Sequence, residues 1–549
     1  MRKAILLLIF FSFLAGIAVG FVFKPQPITP GDVRAAASLI DLSFDGPEID
    51  SMLSGLEDNR MDFQALHDTT IANSVMPAIQ FNPFPKDFQV QRLQYPVQFG
   101  KAPKVKRPEN MDDLAFYSVR ELAELIHDKK LTSVELTTFC LNRLKKYNPE
   151  LHCVITLTED LAMEQARKAD QEIKQGRYRG ILHGIPFGAK DLLAVPGYPT
   201  TWGAKPYETQ QFDSAATVIK RLEESGAVLV AKLSMGALAW GDVWFGAKTR
   251  NPWNTAQGSS GSSAGSASAV SAGLVPFAIG TETLGSIVSP STVCGVTGLR
   301  PSYGRVSRSG AMALSWSMDK IGPICRSVED CAIVFNAIYG PDNEDPTVVN
   351  AAFNYNTNAA VKKFRIGYVP RDFDRPYAFH QNDSIFLEQV KALGFELVPI
   401  ELPEIPPIRF ILEVEGAAAF DDLTRSNQDD LLVRQIKNAW PNVFRTSRFI
   451  PAVEYLQANR LRSGLIEALY ERMKGVDLYL SPSWFGRNLT LTNLTGNPSV
   501  VMPTGLKDGL PTSITMTGQL LGEDKLLLFA NYIQEHTNYH LNHPPGFLN

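Results

Sequence analysis

The chain has 549 residues, 44% of them hydrophobic and 20% charged, with a formal net charge of −4. This is ordinary globular composition with ample material for a large core. A sequence pI of about 6.1 implies no strongly basic face, which argues against a nucleic-acid partner.

Arg2 and Lys3 precede an apolar run, AILLLIFFSFLAGIAVGFVF. A short basic region ahead of an apolar core is the pattern of an export signal, and small residues near Ala18 and Gly20 offer a cleavage site. The run is also about as long as a spanning helix needs. Residues 1–22 are therefore expected to be a signal peptide or an N-terminal anchor. In either case the main body is expected outside the cytoplasm, periplasmic or secreted, and held at the membrane only if the segment stays uncleaved. No Cys directly follows the run, so a lipoprotein anchor is not supported. The five cysteines (Cys140, Cys153, Cys294, Cys325, Cys331) are odd in number and form no C-x-x-C. They are expected to be small buried residues rather than a disulfide framework, with Cys325 and Cys331 the one pair left open.

Residues 23–112 read as an irregular N-terminal extension, rich in Pro (KPQPITPGD, FNPFPKD, GKAPKVKRPEN). Helices are expected over residues 32–42 and 47–65, and the segment is expected to wrap the main domain. No chemistry is legible in it. Residues 113–549 form the main domain. Ser118 with Glu121, and Thr132 with Glu135, are capping boxes ahead of apolar helical faces. A third helix is expected over 159–175, stopped by Gly176. GILHGIPFGAKDLLAVPG and AVLVAK (227–232) read as strand segments, and FRIGYV, a helix over 383–393 and FELVPIEL as a β-α-β unit. Long helices are expected between 413 and 474, then buried strands in DLYLSPS and PSVVMPTG. The mixture predicts an α/β fold, one large domain with helices covering a central mixed sheet.

GSSGSSAGSASAVSAG, residues 258–273, has the composition of a flexible linker but sits between apolar segments. Two other segments share its chemistry: Lys190 in HGIPFGAKD, and Ser286 in TETLGSIVSP. A serine hydroxyl becomes a nucleophile when a base takes its proton. A lysine can be that base if burial leaves it neutral, and a second serine can relay the proton. Small residues beside a nucleophile let backbone N–H groups reach an oxyanion. The alternative is a nucleophile elbow, since Gly261-Ser262-Ser263-Ala264-Gly265 also fits G-x-S-x-G. That motif needs a preceding strand, which NPWNTAQ is not expected to be, and a His partner, for which His380, His536, His540 and His543 are available. His536 and His540 have a helical spacing that can bind metal, but no third ligand and no HExxH accompany them. The sequons at Asn488 and Asn493 read as chance.

NPWNTAQGSSGSSAGSASAVSAGLVPFAIGTETLGSIVSPSTVCGVTGLRPSYGRVSR resembles the signature of the amidase signature family. LHGIPFGAKD, SMDKIGPICRSVEDCA and NLTGNPSVVMPTG resemble further segments of the same family, and together they cover residues 113 to the C-terminus. The resemblance implies Ser286 as the acyl-accepting nucleophile, Ser262 as a bridging serine on a cis peptide bond, and Lys190 as the general base. It implies a supporting role for Ser263 and an oxyanion hole from the backbone N–H groups of Thr283, Leu284, Gly285 and Ser286. The implied reaction is hydrolysis of a small-molecule carboxamide (aryl, fatty or peptide amide) with no cofactor and no metal; whether the chain forms a homo-oligomer is left open by the sequence. Two other readings stay open: an amidotransferase-type subunit that releases ammonia to a partner, and an inactive amidase-like binding protein. Two positions depart from the family pattern. Leu284 stands for a glycine, which would be strained if that position needs φ > 0. Val288 stands for an arginine. The substrate pocket is expected to be walled by residues 406–459 and 240–244, with an apolar or aromatic preference.

Overall fold

The computed structural model describes residues 26–547; the segment read as an export signal or anchor lies outside them. No helix among the described residues is long and apolar enough to cross a membrane. The chain divides into two compact units, one up to Ile71 and one from Ala72 onwards. In the first, α1 (Pro30–Leu39) and α2 (Gly46–His67) pack on each other. Each opens with Pro in its first turn and a capping box, Thr29 with Asp32 and Asp45 with Glu48. The boxes satisfy N–H groups that have no partner within the helix.

The second unit opens with a strap, residues 72–110, that has no helix and no strand beyond an isolated bridge from Gln98 to Asn356. Side-chain amides hold it to distant backbone. Asn73 Oδ1 accepts the Ala313 N–H at 2.8 Å while its Nδ2 donates to the Ala313 carbonyl at 2.9 Å. Gln94 makes the same two-way contact with Phe353. Three helices follow, α3 (Val119–His127), α4 (Ser133–Leu151) and α5 (Glu159–Lys174). Both expected capping boxes are formed, by Ser118 with Glu121 and by Thr132 with Glu135.

An eleven-stranded mixed sheet runs through this unit. In chain order its strands are β1 (Val154–Leu157), β2 (Pro186–Lys190), β3 (Val228–Leu233), β4 (Phe277–Glu282), β5 (Thr297–Arg300), β6 (Lys320–Cys325), β7 (Ile366–Tyr368), β8 (Leu397–Pro399), β9 (Leu478–Pro482), β10 (Ser499–Lys507) and β11 (Leu510–Gly518). In space the order is β1-β3-β2-β4-β6-β5-β10-β11-β9-β7-β8. β2 lies between β3 and β4, parallel to both, and β4 runs antiparallel to β6. Every residue of β2, β3, β4 and β6 is buried, as expected of strands covered on both faces.

The structure corrects the reading of NPWNTAQ. Arg250–Asn251 and Asn254–Gly258 pair as a small antiparallel hairpin outside the main sheet. Pro252 falls in the turn, where its missing N–H costs nothing, and Asn251 Oδ1 accepts the Trp253 N–H at 3.1 Å. The residues that argued against a strand are those that build its turn.

Candidate active site

Lys190 closes β2 and is fully buried. Its Nζ lies 2.7 Å from Ser262 Oγ, 3.1 Å from Ser263 Oγ and 2.8 Å from Thr281 Oγ1. Ser263 Oγ in turn donates to the Thr281 carbonyl at 3.0 Å. Burial pulls the Lys190 pKa down to about 7, against the Asp319 and Glu282 carboxylates, which hold it up. Asp191, its chain neighbour, faces elsewhere: it accepts from the Thr201 N–H and hydroxyl and pairs with the buried Lys232 at 2.8 Å. The lysine therefore sits among neutral hydroxyls in an apolar setting, which favours the free amine.

The linker-like stretch is buried backbone packing. The Gly261–Ser262 peptide bond is cis, and Ser262, Ser263 and the whole of α6 (Ala264–Ser271) are buried. A Cβ on Gly261 would lie 1.9 Å from the Gly241 carbonyl oxygen, and one on Gly265 would lie 2.3 Å from that of Cys153. Those distances are far inside contact, so only glycine allows backbone to approach backbone here.

Ser286 follows β4 in a tight loop before α7 (Val288–Cys294). The left-handed residue of this loop is Gly285, φ +88°; Leu284 is not in that region, so its side chain carries no backbone strain. The N–H groups of Thr283, Leu284, Gly285 and Ser286 donate to no protein acceptor among the described residues, while the next two, Ile287 and Val288, are taken by Glu282 Oε2 at 2.8 and 2.9 Å. Four consecutive free donors next to a serine make a cradle for a negative oxygen. Ser263 N–H donates to the Ser286 carbonyl at 3.1 Å, which joins the two segments through backbone. No hydrogen bond links the Ser262 and Ser286 hydroxyls themselves among the described residues.

Glu282 is the brace under the loop. Its Oε1 accepts from Arg300 at 2.8 Å and from Asn493 Nδ2 at 2.8 Å, and Arg300 also reaches the Asn497 carbonyl and Ser499 Oγ. Burial alone would raise the carboxyl's pKa; Arg300, the Val288 N–H and Asn493 outweigh it and hold it at about 2. The Glu282 and Arg300 charges are both fully buried, and removing one leaves the other uncompensated. Arg300→Met should therefore destabilise the protein by about 3–5 kcal/mol in urea denaturation; a change below about 1 kcal/mol would show that the pair is dispensable.

A cavity of about 290 Å³ adjoins this site, with Thr281, Thr283 and Ile321 on its inner side. Its other walls differ from the expected ones. They come from residues 308–314 and from Asn73, Ser74 and Met76 of the strap, whereas the expected Trp240 lines a separate small cavity and Glu415, Tyr455 and Asn459 line another. The strap was invisible as a wall because Pro-rich irregular sequence carries no periodicity that would aim its side chains. Asp319, also on the cavity, accepts Thr283 Oγ1 at 2.5 Å and the N–H groups of Leu314 and Ser315 at 2.8 and 2.9 Å. It ties the donor loop to the cavity wall, a role nothing in its sequence neighbourhood signalled.

The remaining sequence features lie elsewhere. No histidine bonds Ser262, Ser263 or Ser286 among the described residues, which leaves the elbow reading without its base. His536 Nδ1 meets the Tyr532 carbonyl at 2.7 Å, and the one cluster with metal-ligand spacing among the described residues is Glu124, His127 and Asp128, largely exposed. All five cysteines are buried and free. Asn488 and Asn493 are buried and hydrogen-bonded to Tyr479 and Glu282, so neither sequon is accessible in the folded chain.

Fold and site define an enzyme of amide C–N bonds. A family model described as Amidase matches residues 135–487, and the chain belongs to that family. It is similar to native peptide amidase from Stenotrophomonas maltophilia, with 28% identity and a TM-score of 0.72 over 79% of this chain and 99% of that one. It is similar also to a glutamyl-tRNA(Gln) amidotransferase subunit from Legionella pneumophila strain Paris, 31% identical over 485 residues, covering 78% of this chain and 99% of the relative. A bacterial aryl acylamidase shares the fold, at 22% identity and a TM-score of 0.69 over 78% of this chain and 98% of its own.

Proposed function

We propose that the protein is an amidohydrolase that cleaves a carboxamide through an acyl-Ser286 intermediate. The observation that carries this reading is the row of unengaged N–H groups at residues 283–286 beside a buried lysine whose pKa lies near neutrality. In the proposed cycle Ser286 Oγ attacks the amide carbon, its proton passes to Ser262 Oγ, and the Ser262 proton passes to Lys190 Nζ. The carbonyl oxygen, now negative, is received by the free N–H groups. The Lys190 ammonium returns the proton through Ser262 to the departing nitrogen, so ammonia or an amine leaves and the acyl group stays on Ser286. Water, deprotonated by the same route, then releases the acid. Ser263 and Thr281 keep the lysine in place. Labelling with a fluorophosphonate tests the reading: Ser286 should be modified, and an unlabelled chain would favour the inactive binding protein instead.

A second reading is supported by the likeness to the glutamyl-tRNA(Gln) amidotransferase subunit: hydrolysis of glutamine, with ammonia passed to a partner. The apolar walls of the cavity favour the first. Comparing glutamine with aryl, fatty and peptide amides separates them, as does a pull-down from native membranes. Export rests on the leading apolar run alone; N-terminal sequencing of the protein from cells would find it removed or retained.

Two further outcomes are expected. Activity should survive EDTA and reducing agent, because no step uses a metal or a disulfide; loss on chelation with recovery on added zinc would overturn the mechanism. Asp319→Asn should lower kcat by about 10- to 100-fold with little change in KM, because Thr283 loses the anchor that holds one donor of the cradle, a smaller loss than removing a donor outright. An unchanged kcat would confine Asp319 to the wall of the cavity.

A further inference from the structure

The cavity beside Thr283 does not stand alone. A second cavity, of about 240 Å³, lies next to it, and Met76 and Trp316 line both. Met76 belongs to the strap, outside the residues that match the family model. The strap is fixed on either side of it. Upstream, Asn73 grips Ala313 in both directions and also donates to the Ala419 carbonyl at 3.3 Å. Downstream, the Phe81 ring lies 3.6 Å under the Arg462 guanidinium and edge-on to Tyr303. Met76 is thus a thioether held between two anchored points, on the boundary the two cavities share.

The apolar side chains on the first cavity include Leu192, Met312, Leu314, Ile321, Met76 and Trp316, beside polar ones such as Asn73, Thr281 and Arg308. The ionisable groups on it have partners within the protein. Arg308 pairs with Asp345 at 3.1 Å and bonds the Trp316 carbonyl, Ser309 Oγ takes Glu344 at 2.6 Å, and Lys320, which burial pushes well below its ordinary pKa, donates to the Met318 carbonyl. Asp319 is held by the Thr283 hydroxyl and the N–H groups of Leu314 and Ser315, so each of these groups is already engaged within the protein.

We propose that Met76 is the end wall of the substrate site and sets the length of the apolar chain the enzyme accepts, the substrate class being carboxamides with an unbranched apolar chain. This rests on the amidohydrolase reading. The chain runs from the carbon at Ser286 along the first cavity and stops at Met76. Removing that side chain joins the two cavities, and a bulkier one shortens the first. Methionine suits the place, being flexible enough to fit chains that fall short of the wall.

The test is direct binding, so that it does not depend on turnover. Straight-chain primary amides from acetamide to dodecanamide are titrated calorimetrically into Ser286→Ala protein with residue 76 as Met, Ala or Trp. Met76 is only half-buried, and each protein's melting curve checks that it is folded. With Met76, affinity should rise about four-fold per methylene and level off near the length that fills the cavity. With Met76→Ala the break should move to longer chains by several carbons, and with Met76→Trp to shorter ones. A flat series, or a break at one length in all three proteins, overturns the proposal. Hydrolysis of the same amides by protein with Ser286 intact is read separately: length-dependent binding without turnover would count against the amidohydrolase reading and leave the role of Met76 standing.

Discussion

Ser286→Ala is expected to reduce turnover by about 10⁴- to 10⁶-fold, the range seen when a hydrolase loses its nucleophile. The loss should fall on kcat, because substrate binding uses the cavity and the free N–H groups, which the substitution leaves in place. Stability should hardly move. Ser286 is buried, but among the described residues its hydroxyl makes no hydrogen bond, and its structural contact is the backbone one from Ser263. Steady-state kinetics beside a urea melt would read both quantities. A variant that retains a substantial fraction of activity would move the nucleophile elsewhere. Ser263 would be the next serine to test, although its hydroxyl is engaged by Lys190 and Thr281. A variant that loses activity together with its fold would say nothing about chemistry, so the melt is part of the experiment.

Local signals carried far along this chain. The capping boxes at Ser118 and Thr132 start helices where the sequence puts them, because a cap is settled within four residues. Apolar runs such as AVLVAK lie in strands buried on both faces, for the same local reason. Lys190, Ser262 and Ser286 were grouped from the sequence through the resemblance of their three segments to one family; the structure brings Lys190 to Ser262 and joins the Ser263 and Ser286 segments through backbone. Whatever depends on distant pairing was not legible. Nothing around Arg300 says that it answers a carboxylate 18 residues upstream, and nothing around Asp319 says that it reaches Thr283. The strap shows the limit most plainly. Its side chains point where tertiary contacts hold them, so Asn73 and Met76 become walls of a cavity only once residues 308–316 have folded against them. The doubt about Leu284 had a local answer, but one residue away: the glycine that supplies the left-handed turn is Gly285.

The acid limb of activity should be set by Lys190. An ordinary lysine, with a pKa of about 10.4, is almost wholly protonated at neutral pH and cannot serve as a base. Here burial brings the value to about 7, so kcat/KM should rise through pH 7 and level off above it, falling about ten-fold for each pH unit below. Lys190→Ala should slow acylation by about 10⁴-fold or more, and should harm amides more than esters of the same acid, because a poor amine leaving group needs the returned proton. Weak esterase activity at high pH would then survive, with hydroxide in place of the base. The charged groups that act on the lysine are Asp319 and Glu282, both of which raise its pKa; Asp191 is committed to Lys232, and the groups in direct contact are neutral hydroxyls. Neutralising Asp319 should therefore stabilise the free amine. In Asp319→Asn the limb should move to lower pH while kcat on the plateau falls, two opposite changes that a merely loosened wall would not produce together. A wild-type limb near pH 5, or a Lys190→Ala enzyme with a near-native pH profile, would show that the lysine is structural and that the base lies elsewhere.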